Sequence, residues 1–261
     1  MNYFYLLKNF LRISILNEMQ YRANFVLQVL DSGIALAVNL FWVSLLFNYT
    51  QNINGWNRFE LVAVIGVHTL VSGLIKTFVD PNMQKLVQDV QKGTLDYALT
   101  KPEDAQLLVS ARETRIWQLT DVLLGLIVLG YAVVQLQSTV GLLQVLMFIG
   151  MLMLGMAMVY SAWLIFTTSV FWFTNIQDLF NIFEGFLMTG TLPVSVYPGW
   201  LRGMLTFVIP IAFAITVPAE ALTGRLTLPT VLLALALAVG LLVAARLIWR
   251  LGLRRYSGAS A

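Results

Sequence analysis

Side chains able to do chemistry are few in this chain and stand in an otherwise apolar sequence. Among 261 residues there is one histidine, His68, and no cysteine. A lone imidazole makes a zinc site improbable, and without thiolates neither a cysteine-ligated metal site nor a disulfide framework is available. Serine catalysis would need His68 as its base, yet no Gly-x-Ser-x-Gly elbow accompanies it. The run Gly185-Phe-Leu-Met-Thr-Gly190-Thr191 has the glycine spacing of a phosphate-cradling loop but lacks the lysine that reaches the phosphates. No enzyme constellation survives, so the chain is expected to carry out no covalent chemistry. Two intramembrane polar candidates remain, Glu184 and His68. An ionisable group at membrane depth is costly and usually faces protein or a wet cavity. Glu184 is read as a paired structural group, a substrate contact or a protonated spectator, and His68 as a packed, hydrogen-bonding residue or a substrate contact. Asp31, Lys76 and Asp121 fall within a turn or two of an expected membrane edge, where they snorkel or pair.

The remaining polar chemistry is concentrated in residues 80–115, DPNMQKLVQDVQKGTLDYALTKPEDAQLLVSARETR. Asp80-Pro81 reads as an N-cap and first helical position. Met83, Leu86, Val87 and Val90 then mark the apolar stripe of a short helix that stops at Gly93. A second short element covers residues 94–100. Glu103 and Asp104 suit the first turn of a third helix, expected to run through Arg112 and Arg115 into a membrane span.

The elements that must position these groups are membrane helices. The chain is 59% hydrophobic and only 11% charged, with a mean hydropathy of +0.79. A soluble domain of this size could not hide so much apolar surface. The spacing predicts an all-α polytopic protein with six spans, at residues 25–47, 59–79, 116–134, 141–170, 176–191 and 230–249. Residues 135–139 and the group Asn175, Gln177 and Asp178 form turns. Residues 1–24 carry Tyr3, Phe4, Leu7, Phe10, Leu11 and Ile15 on one face, the pattern of an interfacial helix rather than a cleaved signal. Residues 192–228 are apolar but broken by prolines, and are expected to form short re-entrant helices packed against protein. One helical membrane domain therefore covers 1–261.

An even number of spans puts both termini on one side together with residues 80–115. That side collects 13 of the 16 cations, leaving Arg58, Arg202 and Arg225 for the other. The bias makes the first side cytoplasmic. Phe171-Trp172-Phe173 and Trp163 read as interfacial anchors, with stacking on a ligand as the alternative, and Gly199-x-x-x-Gly203 matches a close-packing spacing. The polar window mixes both signs of charge and lacks aromatic interleaving, so nucleic acid is not an expected partner.

Three segments resemble the type-2 permeases of ATP-binding-cassette (ABC) transporters, specifically a bacterial export branch. They are Gly93-Thr-Leu95-Asp96-Tyr-Ala-Leu99-Thr-Lys101-Pro102, the run from Pro193 through Tyr197, Pro198, Trp200 and Arg202 to Pro218, and the tail Gly252-Leu-Arg254-Arg255-Tyr256. The resemblance implies an interfacial elbow at 1–24 and re-entrant extracytoplasmic helices at 192–228. It also implies a coupling surface at Leu95, Asp96, Tyr97, Leu99 and Lys101 that docks on a separate ATPase. Two ATPase subunits carrying the ATP and Mg, a second identical or homologous permease, and membrane lipids are the implied partners. No cofactor is expected on this chain. The implied setting is the bacterial inner membrane, with export of a hydrophobic or amphiphilic substrate between protomers. An ion-coupled carrier using Glu184 and His68, or a membrane scaffold that transports nothing, are the competing classes.

Overall fold

The computed structural model describes residues 3–19, 22–136, 140–173 and 177–256. The expected turn residues 137–139 and Asn175 lie outside them. So do the side chains of Tyr3, Phe4, Leu7, Lys8, Leu11, Arg22 and Gln177. The described chain is helical: α1 (Tyr3–Glu18), α2 (Arg22–Leu46), α3 (Arg58–Gln91), α4 (Asp96–Leu99), α5 (Ala105–Ser110), α6 (Ile116–Gln135), α7 (Leu142–Phe171), α8 (Gln177–Met188), α9 (Gly199–Val208), α10 (Ala212–Leu222) and α11 (Leu228–Leu253). Five of these, α2, α3, α6, α7 and α11, are long and apolar enough to cross a bilayer. A sixth crossing is reached if α9 and α10, bent by 78° at their junction, count as one span. That bend falls inside the segment expected to be re-entrant. Helix α8, in the place of the fifth expected span, has 12 residues and is prolonged by a tighter turn at Thr189–Thr191.

Helix α3 is the axis of the molecule. It runs 34 residues, roughly 50 Å at about 1.5 Å per residue, against a hydrocarbon core of ~30 Å. In its most apolar stretch 78% of residues are buried, against 11% to 28% in the other long helices. Its start is fixed by a capping box: Asn57 Oδ1 accepts from the Glu60 amide at 2.9 Å, and Glu60 Oε2 accepts from the Asn57 amide at 2.7 Å. It stops at Gly93 as the sequence implies. Gly93 takes φ +68°, its amide donates to Val90 O, and the Thr94 amide donates to Asp89 O at 2.8 Å, closing a Schellman motif.

The expected break at Asp80-Pro81 does not occur. Asp80 has helical φ and ψ, and α3 passes straight through. The accommodation is a π-helical turn at Ile75–Val79, where the Asp80 amide reaches back to Ile75 O. Proline removes the donor to the carbonyl four residues back and crowds it; a wider turn relieves both problems. The orphaned carbonyl here is Thr77 O, which accepts from the Arg115 amide at 3.1 Å. The same device recurs before Pro210, where Ile209 donates to Met204 O, and before Pro218, where Val217 donates to Ala212 O. Each π turn ends two residues ahead of its proline.

Packing around α3 differs by side. Against α6 the backbones nearly touch: a Cβ on Gly125 would lie 2.4 Å from Leu70 N, and one on Gly66 would lie 2.8 Å from Leu129 N. Small residues let dispersion act between backbones where lipid supplies no hydrophobic drive. Gly199 and Gly203, by contrast, have nothing within 4 Å and make no such contact. Helices α7 and α11 pack together with α10 alongside.

At the end of α3 marked by Asn57, buried Glu60 takes Arg225 at 2.6 Å, and that guanidinium also covers the Trp56 ring at 4.8 Å. Asn54 Nδ2 and Arg202 both donate to Ser195 O, tying the loop before α3 to the proline-rich segment.

Candidate functional site

On the side of α3 away from α6's glycine seam, the helices part. A cavity of about 480 Å³, open on one side, is lined by α2, α3, α8 and the start of α6. His68, Thr69, Ser72 and Lys76 come from α3, Asp31, Ser32 and Asn39 from α2, Asp121 from α6, and Glu184 from α8. The structure thus brings Glu184 and His68 to one space. His68 Nε2 lies 3.2 Å from Leu187 O, so it must donate there, which makes Nδ1 the acceptor. That buried Nδ1 has no partner among the described residues. Ser72 Oγ stands 3.4 Å from the same Nε2. Lys76 pairs with Asp121 at 3.9 Å, as expected near a membrane edge. Asp31 departs from that expectation: like Glu184, it has no hydrogen-bond or ion-pair partner among the described residues.

The polar window is built onto the far end of α3. Asn82 is its organiser, and it is buried. Its Oδ1 accepts from the amides of Arg112 and Glu113 at 3.0 and 2.9 Å, and its Nδ2 donates to Phe78 O and Glu113 O. With the Arg115 amide given to Thr77, the backbone at 112–115 is committed to α3 and cannot continue a helix. The third helix expected to run on through Arg115 is therefore only Ala105–Ser110, and a new one begins at Ile116. Asp104 caps the short helix, accepting from the amides of Gln106 and Leu107, and grips Arg246 of α11. The Arg246 guanidinium holds the Asp104 carboxyl below its usual pKa. Asp89 binds Arg112 at 2.6 Å and Lys85 at 3.7 Å, and Asp80 binds Arg115 at 3.1 Å.

The five residues expected to form a coupling surface divide on this scaffold. Leu95 is fully buried and serves as a core anchor. Asp96 and Leu99 are half-buried, whereas Tyr97 is 77% exposed and Lys101 is exposed. The Lys101 ammonium lies 5.7 Å from the Phe10 ring centroid, linking this tip to α1. Trp163, expected as an interfacial anchor, is instead buried against Phe183 with ring centroids 4.0 Å apart; Trp172 and Phe173 remain exposed.

Sequence reasoning passed over Asp31, Ser32, Asn39, Thr69 and Ser72 as site residues. A signal was present. Gln28, Ser32 and Asn39 recur at helical spacing on α2, as do His68, Ser72 and Lys76 on α3. Polar periodicity within apolar spans marks the cavity face as plainly as apolar periodicity marks a core.

A central helix longer than the bilayer, a polar cavity at its middle and a polar platform at its end define a polytopic α-helical membrane permease. Residues 34–260 match the model of the family described as ABC-2 family transporter protein, and the chain belongs to that family. It is the multi-pass membrane component of an ABC-type transporter, and membership implies association with ABC ATPase subunits. No curated protein and no solved structure matches the chain.

Proposed function

We propose that this chain is one half of an ATP-driven exporter of hydrophobic or amphiphilic substrates. A partner ATPase, which binds the ATP and Mg, docks on the tip around Tyr97, Leu99 and Lys101. The carrying observation is the continuity of α3: one unbroken helix holds the cavity residue His68 and, at its end, the platform that presents Tyr97. Force applied at the tip enters α3 through the hydrogen-bonded turn at Gly93 and then follows one continuous helix to the cavity. Two ATPases and a second permease copy complete the assembly, with the tip and both termini in the cytoplasm of a bacterial cell. The cation bias along the sequence supports that orientation.

The test is Tyr97→Ala in the purified transporter. An exposed aromatic at the centre of an interface typically contributes about 2 kcal/mol or more to binding, roughly thirtyfold in affinity. ATPase capture and substrate-stimulated hydrolysis should fall accordingly while melting of the permease is unchanged. Wild-type ATPase capture would remove the docking assignment. Leu99→Asp is less clean, because half-buried Leu99 packs against the core. An ion-coupled carrier draws support from the meeting of His68 and Glu184 in one cavity. Transport that persists without ATP and stops when an ion gradient collapses would favour it.

A further inference from the structure

We propose that the cavity between α2, α3, α6 and α8 binds the cationic head of an amphiphile, an ammonium or similar group, with Asp31 and Glu184 as its counter-charges. This inference rests on the export reading above and names the substrate class for the same site.

Three carboxylates, Asp31, Asp121 and Glu184, line the cavity against one ammonium, Lys76. Lys76 is engaged by Asp121 at 3.9 Å, which leaves Asp31 and Glu184 uncompensated among the described residues. Both are exposed on membrane helices, where a carboxylate without a partner is costly and typically serves a substrate or ion. His68 donates to Leu187 O and keeps its Nδ1 enclosed by protein without a donor, so the carboxylates and not the imidazole supply the charge that faces the open space. The charge left over in this cavity is therefore negative, with the Asn39 amide as a neutral donor beside it. The surroundings are apolar, with Leu36, Val38, Leu187 and Met188 on the same wall. A charged head with an alkyl or aromatic body fits both halves.

The route in carries the same sign. A second cavity of about 400 Å³ shares Asp31 with the first and is also lined by Glu18 and Arg115. A third, of about 360 Å³ beside the polar window, shares Glu18 and Arg115 with the second. The Arg115 guanidinium is held by Asp80 and Gln84. Lys85 lines the third cavity as well and is paired with Asp89, so both cations beside the window have carboxylate partners, while Glu18 and Asp31 line the way toward the first cavity.

The test uses the full-length permease in liposomes and two probes of matched shape and opposite charge, tetraphenylphosphonium and tetraphenylborate. Comparing variants with wild type in the same lipid cancels partitioning into the bilayer. Wild type should bind the phosphonium saturably, and the Asp31→Asn/Glu184→Gln double variant should bind it at least tenfold more weakly, with borate binding unchanged. Glu184→Lys should gain borate binding, a result that a misfolded protein cannot produce. Equal phosphonium binding by wild type and the double variant, or saturable borate binding by wild type, would overturn the proposal. No ATPase is present in this assay. Loss of cation selectivity with normal ATPase capture sinks only this inference, while intact selectivity with ATPase capture unaffected by Tyr97→Ala sinks only the docking assignment.

Discussion

The two flanks of α3 are made from the same helix and serve opposite ends. Toward α6 it presents Gly66 and Gly73, and the neighbouring backbone comes within a Cβ's width of it. Toward α2 and α8 it presents His68, Ser72 and Lys76, and a cavity of about 480 Å³ remains. Close packing makes the first flank a fixed wall. The second is held by side chains rather than by backbone contact: Val43 of α2 and Phe183 and Leu187 of α8 reach the core, and the paired amides of Gln28 and Gln118 at 3.0 and 3.1 Å tie α2 to α6. The difference teaches where shape change costs least: the α3–α6 seam has backbone against backbone, whereas α2 and α8 meet α3 through side chains that can repack.

The contrast is broken most severely at Gly125. A Cβ there meets backbone, which cannot rotate away, so Gly125→Val should cost about 3 kcal/mol and lower the melting temperature of the solubilised permease sharply. Asn82 extends the fixed wall into the polar window. Asn82→Ala leaves the buried amides of Arg112 and Glu113 without their acceptor, and a loss of about 2 kcal/mol should appear in the same melting assay. The cavity side should behave differently. Glu184→Gln removes a charge that has no partner among the described residues, so stability should stay within about 0.5 kcal/mol of wild type. A cost as large as that of Gly125→Val would show that the cavity flank is a packed wall too.

The smallest effect concerns acid. The folded Asp104 pKa lies below its ordinary value of 3.8, so the Arg246 pair contributes fully above that pH and is lost as pH falls through the folded value. Both side chains are about one-third exposed, at 29% and 36%, which screens the pair to less than about 1 kcal/mol. Asp104→Asn should flatten the acid limb of a stability-against-pH curve below about pH 4 by lowering the neutral plateau by less than about 1 kcal/mol.

Much of this architecture was legible in residue order. Apolar runs of about 20 residues located the long helices, and Gly93 marked the stop of α3 because only its backbone takes positive φ without strain. Pro81 misled for a physical reason: proline is commonest where helices begin, and nothing local reveals that Arg115, 34 positions onward, supplies a donor for the stranded Thr77 carbonyl. The third window helix was overextended for the same reason, since Asn82 captures its backbone from a distant part of the chain. Of the candidate site, Glu184 and His68 were visible as ionisable groups in apolar text, but their convergence depends on tertiary packing. Leu95 entered the coupling surface through the resemblance alone, and the fold buries it.

The π turn at Ile75–Val79 sits between Lys76 in the cavity and Asp80 in the window. Each extra residue in a helix advances the angular phase of everything downstream by about 100°. The wide turn therefore dials the azimuth of Asn82, Gln84 and Asp89 relative to His68. Wound as ordinary α-helix, the same residues would carry the whole hydrophilic head about a quarter turn around the rod with its chemistry intact.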